Sequence, residues 1–352
     1  MDHIQREESM RTVFTAAVAA CALMTASAAL AQEEYPELSL RWAHFAPNTW
    51  GAAQAEEKFA EILSEKSGGK IKVQFFWSGS LGGAGELMEL GQSGAVDVVS
   101  FVPTYHPAQW PLIGLTNSLP MTFKDPITAM NAQDYQIKNN PAVQAEIAGN
   151  GLKLLQIHGL EPYRLQCTSP IETLEDLKGK RIRSFGEWPP YVLNELGAVP
   201  VNITLTEMYE ALQRGTLDCA YNSYENAGFM KLSEVAPHFS DISFGSIAAY
   251  SVFTSIDTWN SWPESVQKLF TETYEEAKAY EMGRFKELND FWIDDAVKNG
   301  AKLVTFKDQD KLDAMFPDML ALWEKSTCDK GLCEEAKSVV ADTRKIIESS
   351  AQ

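Results

Sequence analysis

Two arginines stand where an α/β sheet could present a positive charge to a ligand. Arg183 ends the alternating segment G-K-R-I-R, and Arg164 precedes an apolar segment that runs to Cys167. In open α/β sheets, ligands bind at the carboxyl ends of the parallel strands. The planar guanidinium of arginine matches both oxygens of a carboxylate. The pattern indicates a carboxylate site, with a surface or cross-strand ion pair as the alternative for each arginine.

Aromatic residues provide candidate walls for such a site. The candidates are Trp50, Phe185, Trp188 and Tyr221. Aromatic rings are also common in hydrophobic cores, where packing alone accounts for them. Core packing therefore remains the alternative interpretation for each ring.

Catalytic and metal-binding motifs are missing from the sequence. It contains no G-x-S-x-G, P-loop, G-x-G-x-x-G or H-E-x-x-H pattern, and the glycine-rich residues 79–85 fit none of these spacings. The histidines beyond the N-terminus are isolated from one another along the chain, at His44, His106, His158 and His238. We therefore expect packed or solvated histidines, no metal, no cofactor and no enzymatic activity.

Segments with strand and helix periodicity alternate along the chain and position these residues. Strand patterns occur at residues 38–44, 70–76, 95–101, 165–168, 180–184 and 217–221. The clearest helical pattern covers residues 52–66, with apolar residues on one face and Gly68 and Gly69 beyond its end. This order predicts an α/β fold with largely parallel sheets. Arg183 then lies at the carboxyl end of a strand.

A long helical pattern follows Pro263 and continues to about Gly300. A single helix of about 35 residues would exceed 50 Å, which is longer than one small domain. The segment is either one helix that crosses two lobes or two shorter helices separated near Gly283.

Composition bounds the class of protein and its partners. The chain has 352 residues, 45% of them apolar, which is ordinary globular composition and enough for about two domains. Its 30 Lys and Arg against 48 Asp and Glu give a net charge of −18. A surface this acidic repels phosphate backbones and anionic membranes, so nucleic acid is not an expected partner.

The N-terminus indicates export. An apolar stretch at residues 13–31 follows Arg11 and ends in Ala29-Leu30-Ala31, which predicts a cleaved signal peptide over residues 1–31. In an oxidising compartment, Cys328 and Cys333, separated by a short polar loop, are expected to form a disulfide. Cys167 and Cys219 lie in apolar segments, where buried thiols and a second disulfide both remain open.

Three successive motifs connect the middle of the chain to a known family. They read P-I-E-T-L-E-D-L-K-G-K-R-I-R at residues 170–183, L-G-A-V-P-V at 196–201 and E-M-Y-E-A-L-Q-R-G-T-L-D at 207–218. This region resembles the signature of the DctP-type substrate-binding proteins of TRAP transporters. Upstream segments, including S-G-G-K-I-K-V at residues 67–73, resemble the same family, so the resemblance covers nearly all of the chain after residue 31.

The resemblance implies a two-lobed periplasmic binding protein fold with hinge strands and a long helix that spans both lobes. The expected lobes are residues 36–161 plus 249–287 and residues 162–248 plus 288–345. In this family a ligand binds in the cleft between the lobes. The resemblance assigns Arg183 to the ligand carboxylate, Arg164 to a second basic contact and Asn222 to an amide hydrogen bond. It also implies a periplasmic location and integral-membrane TRAP subunits as partners.

Departures from the family pattern bear on the ligand. Cys219 replaces the usual glycine, and apolar residues 101–103 replace a pocket acid that some members carry. Together with Trp188 and Tyr221, they predict a more apolar pocket than a sialic acid binder needs. Dicarboxylates, hydroxy or keto acids and aromatic carboxylates remain open. A periplasmic sensor subunit and, less favoured, an exported enzyme acting on a carboxylate are the alternative functions.

Overall fold

Two β-sheets organise the protein in the computed structural model, which describes residues 35–350. The predicted signal peptide over residues 1–31 lies outside the described residues. The strands are β1 (Leu38–His44), β2 (Ile71–Phe76), β3 (Val98–Phe101), β4 (Leu152–Leu160), β5 (Arg164–Cys167), β6 (Arg181–Ser184), β7 (Val199–Asn202), β8 (Cys219–Asn222), β9 (His238–Ser240), β10 (Ile247–Ser255) and β11 (Lys302–Val304).

The α-helices lie between and after these strands. They are α1 (Gly51–Lys66), α2 (Leu87–Gln92), α3 (Gly114–Ser118), α4 (Pro126–Asn139), α5 (Pro141–Gly149), α6 (Trp188–Glu195), α7 (Met208–Gln213), α8 (Tyr224–Phe229), α9 (Ile256–Ser261), α10 (Glu264–Met282), α11 (Phe285–Lys298), α12 (Gln309–Met315), α13 (Met319–Asp329) and α14 (Cys333–Ser350). The predicted strand and helix segments before residue 222 all correspond to elements in this order.

Each sheet combines parallel and antiparallel pairs. The first has the order β2-β1-β3-β10-β4, and the second has the order β11-β9-β5-β8-β6-β7. The chain passes from the first sheet to the second between β4 and β5 and returns between β9 and β10. The crossing strands β4, β5 and β10 are antiparallel to their neighbours, whereas β9 is antiparallel to β5 and parallel to β11. The sheets are therefore mixed, where the sequence predicted largely parallel ones. We call each sheet with its packed helices the first and the second lobe.

Helix α1 illustrates how the sequence specifies its own boundaries. Its apolar face is buried through Ala55, Phe59, Ile62 and Leu63, as the periodicity predicts. The helix ends at Lys66, because the next residues include Gly68 and Gly69 with φ of 66° and 80°. Such left-handed backbone favours glycine and stops helical hydrogen bonding.

The long helical pattern forms two helices, which decides between the two alternatives. Helices α10 and α11 are separated by a turn at Gly283 and Arg284. Helix α10 packs against α1 and β4 of the first lobe, whereas α11 packs against α8 of the second lobe. The interrupted helix therefore contacts both lobes.

The C-terminal helix bears on the predicted lobe boundaries, which remain predictions. Helix α14 lies mostly within residues 288–345, the range expected for the second lobe, yet it packs on α4 of the first lobe. Gln136 Nε2 donates a hydrogen bond to Thr343 Oγ1 at 2.8 Å, and Asn140 Nδ2 donates one to Asp342 at 2.7 Å. None of the helices within residues 35–350 has the length and apolarity needed to cross a bilayer.

Two disulfides are present in the described chain. Cys328 and Cys333 are bonded between α13 and α14, as the sequence predicts. Cys167 and Cys219 form a second disulfide across the antiparallel pair β5–β8, where the two residues lie directly opposite. The second bond resolves the alternative that the sequence left open.

The two disulfides are expected to contribute unequally to stability. Cys167 and Cys219 are 52 residues apart, whereas Cys328 and Cys333 are 5 apart, so the first closes the longer loop. The chain-entropy relation gives about 4 kcal/mol for the longer loop and about 2 kcal/mol for the shorter. Urea unfolding of C167A/C219A should therefore show the larger loss of free energy of unfolding. An equal or larger loss in the matched C328A/C333A variant would contradict this.

Candidate functional site

The side chain of Arg183 is buried at the end of β6, with 1% of its surface exposed. Its Nε donates to the Ile203 carbonyl at 3.2 Å, and its Nη1 donates to the Tyr221 carbonyl at 3.1 Å. Its Nη2 donates to the Tyr105 hydroxyl at 3.3 Å. The guanidinium carbon lies 4.4 Å from the ring centroid of Phe185. These contacts fix the orientation of the guanidinium plane.

All three hydrogen-bond acceptors of Arg183 are neutral. Within residues 35–350, no carboxylate forms an ion pair with it at 4.0 Å or less. A guanidinium carries more N–H donors than these acceptors use. Burying a charge is strongly unfavourable unless it is paired with an opposite charge. The buried Arg183 guanidinium therefore favours binding of an anion, and the described residues do not provide one.

A small cavity lies against Arg183. Its space free of protein atoms, part of which opens to solvent, is about 280 Å³. Its lining residues are Phe45, Trp50, Val102, Tyr105, Leu160, Tyr163, Arg183, Phe185, Leu205, Asn226, Ala249 and Tyr250. They come from both lobes, and Arg183 is the charged residue among them. One cation in a lining that is otherwise neutral matches the chemistry of a compact organic anion.

Hydrogen bonds connect the two lobes beside the cavity. Tyr105, which follows β3 of the first lobe, accepts from the backbone N–H of Leu205 at 2.9 Å. Glu225 Oε1, on α8, accepts from the backbone N–H of Gly51 at 2.7 Å. A Cβ at position 51 would lie 2.4 Å from Glu225 Oε1, so a larger residue there would displace the Glu225 side chain. The described conformation is therefore one in which the lobes are in contact.

The pKa of Glu225 reflects this buried position. Burial raises its pKa to about 7, against the opposing effect of the Gly51 N–H. The neighbouring carboxylates Glu281 and Glu161 raise it further. Glu225 is thus a group whose protonation is sensitive to whether the lobes are in contact.

A buried charge network supports the cavity wall behind Tyr250. The ring of Tyr250 stacks on His158 with centroids 4.4 Å apart. His158 Nδ1 contacts Glu281 Oε2 at 2.9 Å, while His158 and His44 each lie 3.5 Å from Glu56 Oε1. Burial alone opposes both charges, but the pairing lowers the pKa of Glu56 and raises that of His158. Two histidines that are isolated in sequence therefore meet on one carboxylate.

Three of the residues singled out from the sequence line the cavity, namely Arg183, Phe185 and Trp50. Tyr221 lies behind them. Its carbonyl accepts from Arg183, and its ring packs against Tyr163 at a centroid distance of 4.7 Å. It takes part through its backbone and its packing instead of facing the cavity.

Arg164 and Asn222 do not line the cavity. They lie opposite each other on β5 and β8, so both side chains leave the same face of the sheet. Arg164 Nη1 donates to the Asp241 carbonyl, and its guanidinium lies over the ring of Tyr224. Asn222 is fully buried, and neither atom of its amide has a hydrogen-bond partner among the described residues. Their predicted ligand contacts remain predictions.

Trp188 is not among the residues that line this cavity. It begins α6, contacts the ring of Tyr191 and borders a surface groove with Leu322 and Lys325. The turn before α6, with Gly186 at φ of 62°, lies between Phe185 in the cavity and Trp188 at this groove.

Four polar lining residues were not identified from the sequence. They are Tyr105, Tyr163, Asn226 and Tyr250. Asn226 follows the end of β8, so the strand-end rule that selected Arg183 also applied to it. The tyrosines lie in connections and on a crossing strand, and the sequence carried no signal for them.

Comparisons with known proteins agree with this architecture. Residues 42–328 match the model of the bacterial extracellular solute-binding proteins, family 7, called DctP. The chain is 32% identical over 202 residues to the uncharacterized protein YiiZ of Salmonella typhimurium, covering 56% of this chain and 60% of that protein. It is 25% identical to the C4-dicarboxylate-binding protein DctB of Bacillus subtilis, covering 79% of each chain.

Solved structures share the fold. A TRAP solute-binding protein from Rhodoferax ferrireducens, in complex with copurified benzoate, superposes with a TM-score of 0.78 at 18% identity. The match covers 89% of this chain and 98% of that one. The family model spans most of the chain and the two-lobed fold is the same. This chain therefore belongs to the DctP family of bacterial extracellular solute-binding proteins.

Proposed function

We propose that this protein captures a small organic acid in the Arg183 cavity and delivers it to the integral-membrane subunits of a TRAP transporter. The observation that carries the proposal is a guanidinium that is 1% exposed and has only neutral partners among the described residues. A ligand carboxylate would supply the missing anion through paired charged hydrogen bonds.

The remaining cavity lining favours an acid with one carboxylate and a compact body. Arg183 is the charged residue of the lining, and most of its neighbours there are apolar or aromatic. A second carboxylate would be buried without a cation, which is unfavourable. DctB is named for C4-dicarboxylates, whereas the Rhodoferax protein was found with benzoate. The single cation of this lining favours one carboxylate, as the second ligand has.

Delivery depends on a hinge motion. The lobes are joined by the connections β4–β5 and β9–β10 and by the turn between α10 and α11. Opening about these connections would separate Tyr105 from Leu205 and Gly51 from Glu225. A ligand that contacts both lobes binds the closed form more tightly and so shifts the equilibrium toward it. We infer that the closed form docks on the membrane subunits in the periplasm, after export by the predicted signal peptide.

Removing the guanidinium should abolish most ligand binding. Arg183→Ala leaves the buried carboxylate of the ligand without its charged partner, a loss of about 2–5 kcal/mol. We expect affinity to fall by at least about 30-fold, measured by calorimetry with the organic acid that raises Tm most in a thermal-shift screen. Arg183→Lys, which keeps the charge but loses the planar fork, should give an intermediate loss.

Arg181→Ala is the matched control on the same strand. Arg181 is 44% exposed in its side chain, forms a bidentate ion pair with Asp218 and does not line the cavity. Its removal should leave affinity unchanged. Full affinity in Arg183→Ala, with both proteins folded by circular dichroism, would refute the proposed site.

Closure should be pH-dependent through Glu225. Its pKa is about 7 in the described conformation and should return toward the ordinary value of 4.5 when the lobes open and water reaches it. The closed form therefore binds the proton more tightly. Ligand affinity should fall as pH rises from about 5.5 to about 7.5, by at most about tenfold per unit.

Glu225→Gln isolates this effect, because glutamine accepts the Gly51 N–H but does not titrate. The slope of log affinity against pH should flatten in this variant. Glu146 is the matched control. Its pKa is also about 7, but it accepts from Leu112 and Ile113 within the first lobe, so Glu146→Gln should keep the slope. An unchanged slope in Glu225→Gln would contradict the coupling.

A further inference from the structure

Asn226 holds a second polar position in the cavity. The residue lies on α8, is 1% exposed and lines the same space as Arg183. Neither its amide oxygen nor its amide nitrogen has a hydrogen-bond partner among residues 35–350. The Tyr163 hydroxyl approaches the amide but does not meet hydrogen-bonding geometry. The amide oxygen and nitrogen could be interchanged by rotating the amide group. Because both atoms are unpaired, the amide lacks a partner in either orientation.

Trp50 lies beside the same cavity, but its polar atom is directed elsewhere. Its indole Nε1 is buried, meets no hydrogen-bonding geometry within the described chain and approaches the Glu225 carboxylate. Its ring stacks on Tyr250 with centroids 4.8 Å apart, which fixes the direction of the indole. An indole nitrogen donates only, whereas an asparagine amide both donates and accepts. Besides the guanidinium, the Asn226 amide therefore gives the cavity lining one unpaired donor group and one unpaired acceptor.

Buried polar groups without partners destabilise a protein, so such groups in a binding cavity mark where a ligand supplies the partner. An unsubstituted hydrocarbon acid would satisfy none of them. An oxo group would accept from the donors but leave the Asn226 oxygen unpaired. A hydroxyl or a secondary amide both accepts and donates, and so satisfies Asn226 completely.

We propose that Asn226 forms a specificity subsite that selects acids carrying a hydroxyl or an amide N–H. The ligand class is then hydroxy acids or lactam acids. This inference rests on the proposed function. Arg183 must bind the carboxylate so that the hydroxyl or amide group of the same ligand can form hydrogen bonds with Asn226.

The test compares acids that differ at one group. Calorimetry is run on the full mature protein with propanoate, pyruvate and lactate, with phenylacetate, phenylglyoxylate and mandelate, and with cyclopentanecarboxylate and 5-oxoproline. At least one hydroxy or lactam acid should bind at least about tenfold more tightly than its unsubstituted and oxo counterparts. In Asn226→Leu this advantage, the ratio of the two affinities within one set of acids, should shrink to about threefold or less.

A second readout separates ligand recognition from a structural role. Asn226→Leu should leave the Tm of the ligand-free protein unchanged or raise it, because no protein hydrogen bond is lost. A fall in Tm of more than about 5 °C, which for a chain of this size is a loss of structural contacts, would overturn the assignment.

Three further outcomes also overturn it. They are an unsubstituted or oxo acid that binds as tightly as its hydroxy analogue, a preference that persists in Asn226→Leu, and the failure of every hydroxy and lactam acid in the panel to bind. Failure of the proposed function is distinguishable, since in that case Arg183→Ala would retain affinity for whichever acid binds. If an ordered water filled the subsite, the ligand hydroxyl would add no affinity. An unsubstituted acid would then bind as tightly as its hydroxy analogue, which is the first of these outcomes.

Discussion

The buried guanidinium of Arg183 is the constraint on which the rest of the site depends. A fixed positive charge at 1% exposure is tolerated only with an anion nearby or with a route to water. Carbonyl groups of Ile203 and Tyr221 orient it from the second lobe, and the Tyr105 hydroxyl reaches it from the first. Residues of both lobes thus hold the Arg183 guanidinium in place. Under the proposed function, binding and closure would be one event, because the anion would be desolvated only when the lobes meet.

The global charge and the local charge serve different purposes. A net charge of −18 keeps the protein away from nucleic acid and anionic membranes, but it does not oppose an anionic ligand. Inside the first lobe, Glu56 and Glu281 bracket His158, so the acidic groups nearest the cavity wall are paired internally. This pairing fixes Tyr250, which in turn stacks on Trp50. Arg183 is therefore the charged residue at the cavity surface.

The sequence allowed the fold to be predicted and identified Arg183 as the candidate ligand residue, because both inferences depend on local patterns. Periodicity located the elements, and the strand-end rule with the family resemblance selected Arg183. The side-chain directions of Arg164 and Trp188 could not be predicted from local patterns. The direction of Arg164 depends on the register of β5 against β8, and that of Trp188 depends on the turn at Gly186. Asn226, Glu225 and the histidine network need contacts between residues that are far apart in sequence, which no local pattern encodes.

The central claim is that Arg183 binds the carboxylate of a small organic acid in the cavity that it lines. A crystal structure of the mature protein with the acid that stabilises it most tests this claim directly. The account predicts a carboxylate with both oxygens within hydrogen-bonding distance of the Arg183 guanidinium, and lobes in contact through Gly51 and Glu225. A ligand bound elsewhere on the protein, or a carboxylate in this cavity that does not contact Arg183, would contradict it.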